Sequence, residues 1–185
     1  MKCMIALLRG INVGGKNIIK MADLKASFER RGFEPAVTYI NSGNVLFASD
    51  LDESVIRGIC EKMIAEDYQI ETPVCILSAG ELIQTLDHAP AWWGRDAGAR
   101  HDAFFVLPPM TAPELCAHVG EIREEYENVG WHGRIIFWSA ALTTFSRTRW
   151  SKISQDKKMY QLITVRNANT TLKLAQLAAA FEKDL

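Results

Sequence analysis

The chain contains no CxxC pair and no HxxxH pair. Its cysteines (Cys3, Cys60, Cys75, Cys116) and histidines (His88, His101, His118, His132) are scattered along the sequence. That scatter excludes the compact ligand spacing of zinc modules, and buried free thiols are the plain reading. No metal site and no cofactor is expected. Only six apolar residues separate Lys2 from Arg9, too few for a signal-peptide core or a membrane span. The expectation is a cytoplasmic protein with no membrane partner. Acidic tails and low-complexity runs are missing, as is any Ser/His/Asp, Cys/His or paired-carboxylate arrangement, so the sequence leaves open whether the protein is an enzyme. The nearest thing to an acid–base pair is His101-Asp102, but adjacent strand residues point to opposite faces.

What the chain does have is enough apolar material for a core. At 185 residues and 48% hydrophobic content, it can bury about 70% of its unfolded surface. One domain or two small lobes fit that length. The net charge of −1 conceals an uneven layout. Residues 1–25 carry +4 and residues 147–173 carry +6, whereas residues 26–146 carry −10. Basic ends around an acidic middle suggest a local anion site more than a general nucleic-acid binder.

In chain order, KCMIALL (2–8) reads as a buried strand ended by glycine. A helix over 21–31 follows, with Leu24 and Phe28 inward and Gly32 at its C-terminal stop. AVTYI and VLFA flank Asn41-Ser42-Gly43-Asn44, a hairpin signal. A second helix over 53–68, capped by Asp52, would set Val55, Ile56, Ile59, Cys60 and Met63 along one face. TPVCIL (72–77) is a fourth strand, and Ser78 caps a short helix. The order β-α-β-β-α-β over residues 1–78 is that of a ferredoxin-like unit. The expected class is therefore α+β in two lobes: residues 1–86 ferredoxin-like, 87–100 a connection, and 101–185 a second lobe with antiparallel strands closed by a C-terminal helix. In that second lobe the reading places a strand over 101–107 and a helix over 112–126 opened by a Thr111/Glu114 capping box. Strands near 128–132 and 134–140, a polar basic stretch over 144–158, a strand over 160–165 and a helix over 168–183 complete it.

Two segments are candidate anion sites. Gly10, Asn12, Gly14, Gly15 and Lys16 sit in the loop LLRGINVGGKN after the first strand. This text falls one residue short of a P-loop, and the helical pattern starts about five residues too late for Walker geometry. A looser nest of amides with Arg9 and Lys16 remains open, beside glycines that simply supply positive φ. The second segment holds Arg147, Arg149 and Lys152, followed by Arg166, Asn167 and Asn169 where the last helix begins and its dipole favours anions. Asn167 also reads as an ordinary N-cap. Trp150, among cations, can stack on a base or receive an arginine, and Trp92 and Trp93 lie in the connection.

ALLRGINVGGKN (6–17) with KMADL (20–24), TYINSGNVLF (38–47) and TVRNANTTLKL (164–174) together resemble the uncharacterised bacterial family called domain of unknown function 1697. The resemblance implies a two-lobed α+β fold and carries no catalytic residues. The functional expectation rests on the residues: binding of a phosphate-bearing small molecule or a nucleic-acid segment at a basic surface formed by 9–17 and 147–170. A protein-interaction module, including a homodimer, is the alternative, and a small-molecule enzyme with a site assembled from distant segments is another.

Overall fold

The computed structural model describes residues 1–185. Residues Met1–Leu82 with Leu174–Leu185 form one compact unit and Ile83–Lys173 a second.

The first unit begins with β1 (Lys2–Leu8) and α1 (Met21–Arg30). It continues through β2 (Ala36–Tyr39), β3 (Asn44–Ser49), α2 (Glu53–Tyr68), β4 (Val74–Ser78) and the start of α3 (Ala79–Asp87). Its sheet runs β2-β3-β1-β4 with every pairing antiparallel, the ferredoxin-like order. Period-two alternation places Met4, Ala6 and Leu8 on one face with Val45, Phe47 and Ile76. Helices α1 and α2 cover that face with Leu24, Phe28, Ile56, Cys60 and Met63. Phe28, Phe33 and Phe47 form its centre at centroid distances of 4.8–6.0 Å.

The helix face of α2 is turned from the expected one. Val55 is exposed and Ile59 only partly buried, while Ile64 joins the core, because the 3.6 period over sixteen residues centres the stripe on Ile56, Cys60, Met63 and Ile64. Asp52 occupies the N-cap position with extended backbone, but its side chain makes no capping bond. Ser78 does bond its helix, its Oγ accepting from the Glu81 amide at 3.1 Å.

The second unit repeats the pattern. Its strands are β5 (Ala99–Val106), β6 (Glu127–His132), β7 (Ile135–Ala141) and β8 (Ile163–Asn167). They are ordered β6-β7-β5-β8, again all antiparallel. Its first helix, α4, spans only Ala112–Val119, not 112–126. The Thr111/Glu114 capping box forms in full, yet Gly120 adopts φ +85° and ends the helix, and a run with three glutamates continues as turns. Where the first unit has α2, this unit has two 3-10 turns (Phe145–Arg147 and Trp150–Gln155) and the four-residue α5 (Lys157–Tyr160).

The helix α6 (Ala168–Lys183) is divided between the units, its first residues belonging to the second and Leu174 onward to the first. The expected second lobe of 101–185 thus loses its C-terminal segment to the first unit. Burial, and after it the charge of Glu182 on that segment, raises the Cys3 thiol on β1.

Candidate functional site

The glycine-rich loop after β1 is a closed structural corner. Val13 pairs with Lys16 across Gly14 and Gly15 at φ +57° and +74°, a two-residue hairpin that demands positive φ at both central positions. Asn12 holds the loop together. Its Nδ2 donates to the carbonyls of Ile19 and Asn41, at 2.9 and 2.8 Å, and its Oδ1 accepts from the Ile19 amide at 2.8 Å. Asn17 donates to the Gly10 carbonyl at 3.0 Å. The loop is thereby tied to the 40–43 turn, where Gly43 comes so close that a Cβ would lie 2.7 Å from Ile11. Lys16 is exposed, Arg9 is half-buried, and helix α1 begins only at Met21, so Walker geometry is absent.

The basic set of the second unit disperses. Arg166 is buried at 7% exposure, and its guanidinium donates to Thr164 Oγ1 and the Val165 carbonyl. Arg147 lies with Cζ 5.6 Å from the centre of the Tyr126 ring. Arg149 and Lys152 are exposed. Asn167 is an N-cap in fact, its Oδ1 accepting from the Thr170 amide at 2.8 Å. Trp150 is buried at the core of the unit beside Phe104, 5.0 Å between centroids.

Asn167 and Asn169 are gathered with Arg95 and Arg100, which the sequence reading had not singled out, and with the His101-Asp102 pair, which it had discounted. They line a pocket of about 620 Å³ whose other wall holds Arg95, Arg100, His101 and Asp102. Strand pairing creates it, since Asp102 on β5 stands opposite Asn167 on β8, which brings the 94–102 segment to the N-terminus of α6. The pocket size is that of a small-molecule site.

Within it, Arg100 Nε donates to Asp102 Oδ2 at 2.7 Å, with Asp102 almost wholly buried and Arg100 half-exposed. Burial raises the Asp102 carboxyl above its ordinary value, against the opposing pull of Arg100. His101 Nε2 lies 3.0 Å from the Asp96 carbonyl, while its Nδ1 is enclosed without a hydrogen-bond partner. Asp96 Oδ1 accepts from the Gly98 amide at 2.8 Å and so shapes the turn. Arg95 is exposed at the pocket.

Arg100 and Asp102 also line a second hollow of about 230 Å³ on the face bearing Phe104, Trp138 and Trp150. The Arg100 guanidinium lies 6.0 and 5.9 Å from the ring centres of Trp138 and Phe145. One sequence signal was available for this centre: Arg100, Asp102 and Phe104 are two apart in a strand and therefore share a face. Nothing local announced the pocket itself, because its walls lie far apart in the chain. Trp93, from the expected connection, is buried against Phe137 and donates its indole N–H to the Asp102 carbonyl at 3.0 Å.

Two units of the same ferredoxin-like strand order, the second holding a polar pocket at a helix start, define a tandem α+β protein. The chain belongs to the family described as a protein of unknown function, DUF1697, which matches residues 1–137. Among solved structures it is similar to the conserved bacterial protein SP0830 from Streptococcus pneumoniae, at 31% sequence identity and a TM-score of 0.85, covering 96% of this chain and 98% of that one. No curated protein matches the chain. No helix is long and apolar enough to cross a membrane.

Proposed function

We propose that the second unit binds a phosphate-bearing small molecule in the pocket between β5 and the start of α6. The observation that carries this reading is the convergence of Arg95, Arg100 and the opening turn of a sixteen-residue helix on one 620 Å³ cavity. Free amides and the helix dipole favour an anion there. Arg95 makes no ion pair within the chain, so its charge is available to a ligand, whereas that of Arg100 is shared with Asp102. Asn169, exposed at the same wall, supplies an amide suited to a phosphate oxygen.

Thermal unfolding with inorganic phosphate and ribose 5-phosphate tests the reading, since a ligand at a hundred times its Kd adds about 2.7 kcal/mol of stability. Stabilisation that weakens in Arg95→Ala is expected, with the shallow salt dependence of a small ligand instead of the steep slope of nucleic acid. No shift, or an unchanged shift in Arg95→Ala, would overturn it.

A second reading concerns the first unit. Val13 and Ile18 are 65% and 64% exposed on the loop tied to the 40–43 turn, where Ile40 is also exposed. Apolar side chains held out by a rigid hairpin suit contact with another protein, a second copy included. Sedimentation of wild type and Val13→Asp plus Ile18→Asp over a concentration series tests this reading; identical monomers throughout would leave it without support from self-association.

A further inference from the structure

The hollow beside the pocket is an aromatic recess. Phe104, Trp138 and Trp150 are its buried wall, and the half-buried Phe145 and Tyr160 stand at its rim. It exists because the second unit has short turns where the first has a long helix. The rings of Phe104 and Trp138 meet edge to face at 6.3 Å.

Asp102 is one of its polar members, with Arg100, Ser151 and Ser154. It is only 4% exposed and belongs to both the recess and the pocket. Its Oδ2 accepts from Arg100, and its Oδ1 is not enclosed, His101 Nδ1 being the enclosed side-chain atom without a partner. A carboxylate oxygen at the edge of a cavity is a ready acceptor for a ligand N–H.

We infer that the ligand is a nucleotide, with its base in the aromatic recess, an N–H edge on Asp102 Oδ1, and its phosphate in the polar pocket on the other side of Arg100. This rests on the anion reading of that pocket. An aliphatic group would fill the recess but offer Asp102 no donor. A free cation would satisfy Asp102 but meet the Arg100 charge, already placed over Trp138 and Phe145. A base meets all three demands: it stacks on aromatic rings, it accepts the guanidinium plane against its face, and it donates N–H to a carboxylate.

The test is titration calorimetry of the full chain with AMP, CMP, adenosine, ribose 5-phosphate and inorganic phosphate, alongside the fluorescence of Trp138 and Trp150. AMP or CMP should bind roughly tenfold more tightly than ribose 5-phosphate, the scale of one stacked base. Phe145→Leu, which keeps the rim apolar, should remove most of that preference and leave ribose 5-phosphate binding unchanged. Asp102→Asn should weaken AMP and CMP, and Phe145→Leu carries the test if that buried substitution impairs folding by circular dichroism. Equal binding of AMP and ribose 5-phosphate would overturn the base assignment while the anion reading stands. Equal binding of AMP and adenosine, insensitive to Arg95→Ala, would overturn the anion reading on which the nucleotide assignment rests. Absence of binding by all five compounds would overturn both.

Discussion

Glu127→Ala removes an acceptor shared by four donors in the second unit. The carboxylate is 1% exposed and accepts from Trp138 Nε1 at 2.9 Å, the Arg149 amide at 2.8 Å, and the Trp150 and Arg123 amides at 3.2 Å each. It therefore fastens strand β6 to the 3-10 turn behind the aromatic recess. The Arg123 and Arg149 donors lie near the surface and find water in the variant. The Trp138 and Trp150 donors are buried and do not. Two stranded buried donors at about 1–3 kcal/mol each, less the cost of having buried a charge, give a loss of roughly 3–4 kcal/mol. Glu127→Gln keeps one acceptor oxygen and should lose about half as much. All five tryptophans, Trp92, Trp93, Trp131, Trp138 and Trp150, lie in Ile83–Lys173, so urea unfolding followed by tryptophan fluorescence reads this unit selectively. The midpoint should fall with an unchanged slope. A loss below about 1 kcal/mol in the alanine variant would show that water replaces the carboxylate, and the fastening role would be refuted.

Asn12→Ala in the first unit deletes three hydrogen bonds and places a Cβ-bearing residue without a local partner at φ +54°; far-UV circular dichroism should show a loss of about 2–3 kcal/mol, and Asn12→Gly, which tolerates that φ, a smaller one. Burial pushes the thiols of Cys3 and Cys60 up to about 12, with the nearby charges of Glu182 and Glu61 adding to it, and burial pushes Cys116 to about 11. These three cysteines should resist iodoacetamide at pH 8 until urea is added, as peptide mapping will report. Burial tends to raise the Asp67 carboxyl, but Arg31, Ser27 and Arg30 together hold it below its ordinary 3.8. Its folded-state value being depressed, the stability it contributes is complete above about pH 4 and is lost as pH falls through the lowered value. Asp67→Asn should flatten that acid limb in urea titrations and leave the neutral-pH slope with pH unchanged.

Elements whose signals are local were legible in the sequence. The Thr111/Glu114 box, the Asn41 to Asn44 hairpin turn and the stop at Gly32 each depend on a few adjacent residues, and each is present. Gly120 carried a stop signal as well, but the Glu-rich run beyond it has good helix propensity and masks it. The candidate site was legible only at one end. Asn167 and Asn169 stand out at a helix start, yet their neighbours Arg95 and Arg100 reach them through the pairing of β5 with β8. A long-range pairing leaves no mark in local periodicity. Charge counting misled in a related way: Arg166 adds to the basic total of its segment but spends its charge inside the protein, because strand alternation turns it inward.

The division of α6 between the units has a bearing on biosynthesis. The N-terminal unit is not contiguous in the chain: residues 174–185 complete it, and they are made only after the whole of the other unit. The four strands of the first sheet can pair on the ribosome, but that unit cannot reach its full set of contacts until α6 is synthesised. The second unit, contiguous from Ile83 to Lys173, is free to finish first. Vectorial synthesis and order of completion therefore run in opposite directions here, and a nascent chain ended at Lys173 and extended by a linker long enough to clear the ribosomal exit tunnel should display a protease-resistant second unit beside a first unit that is still cleavable.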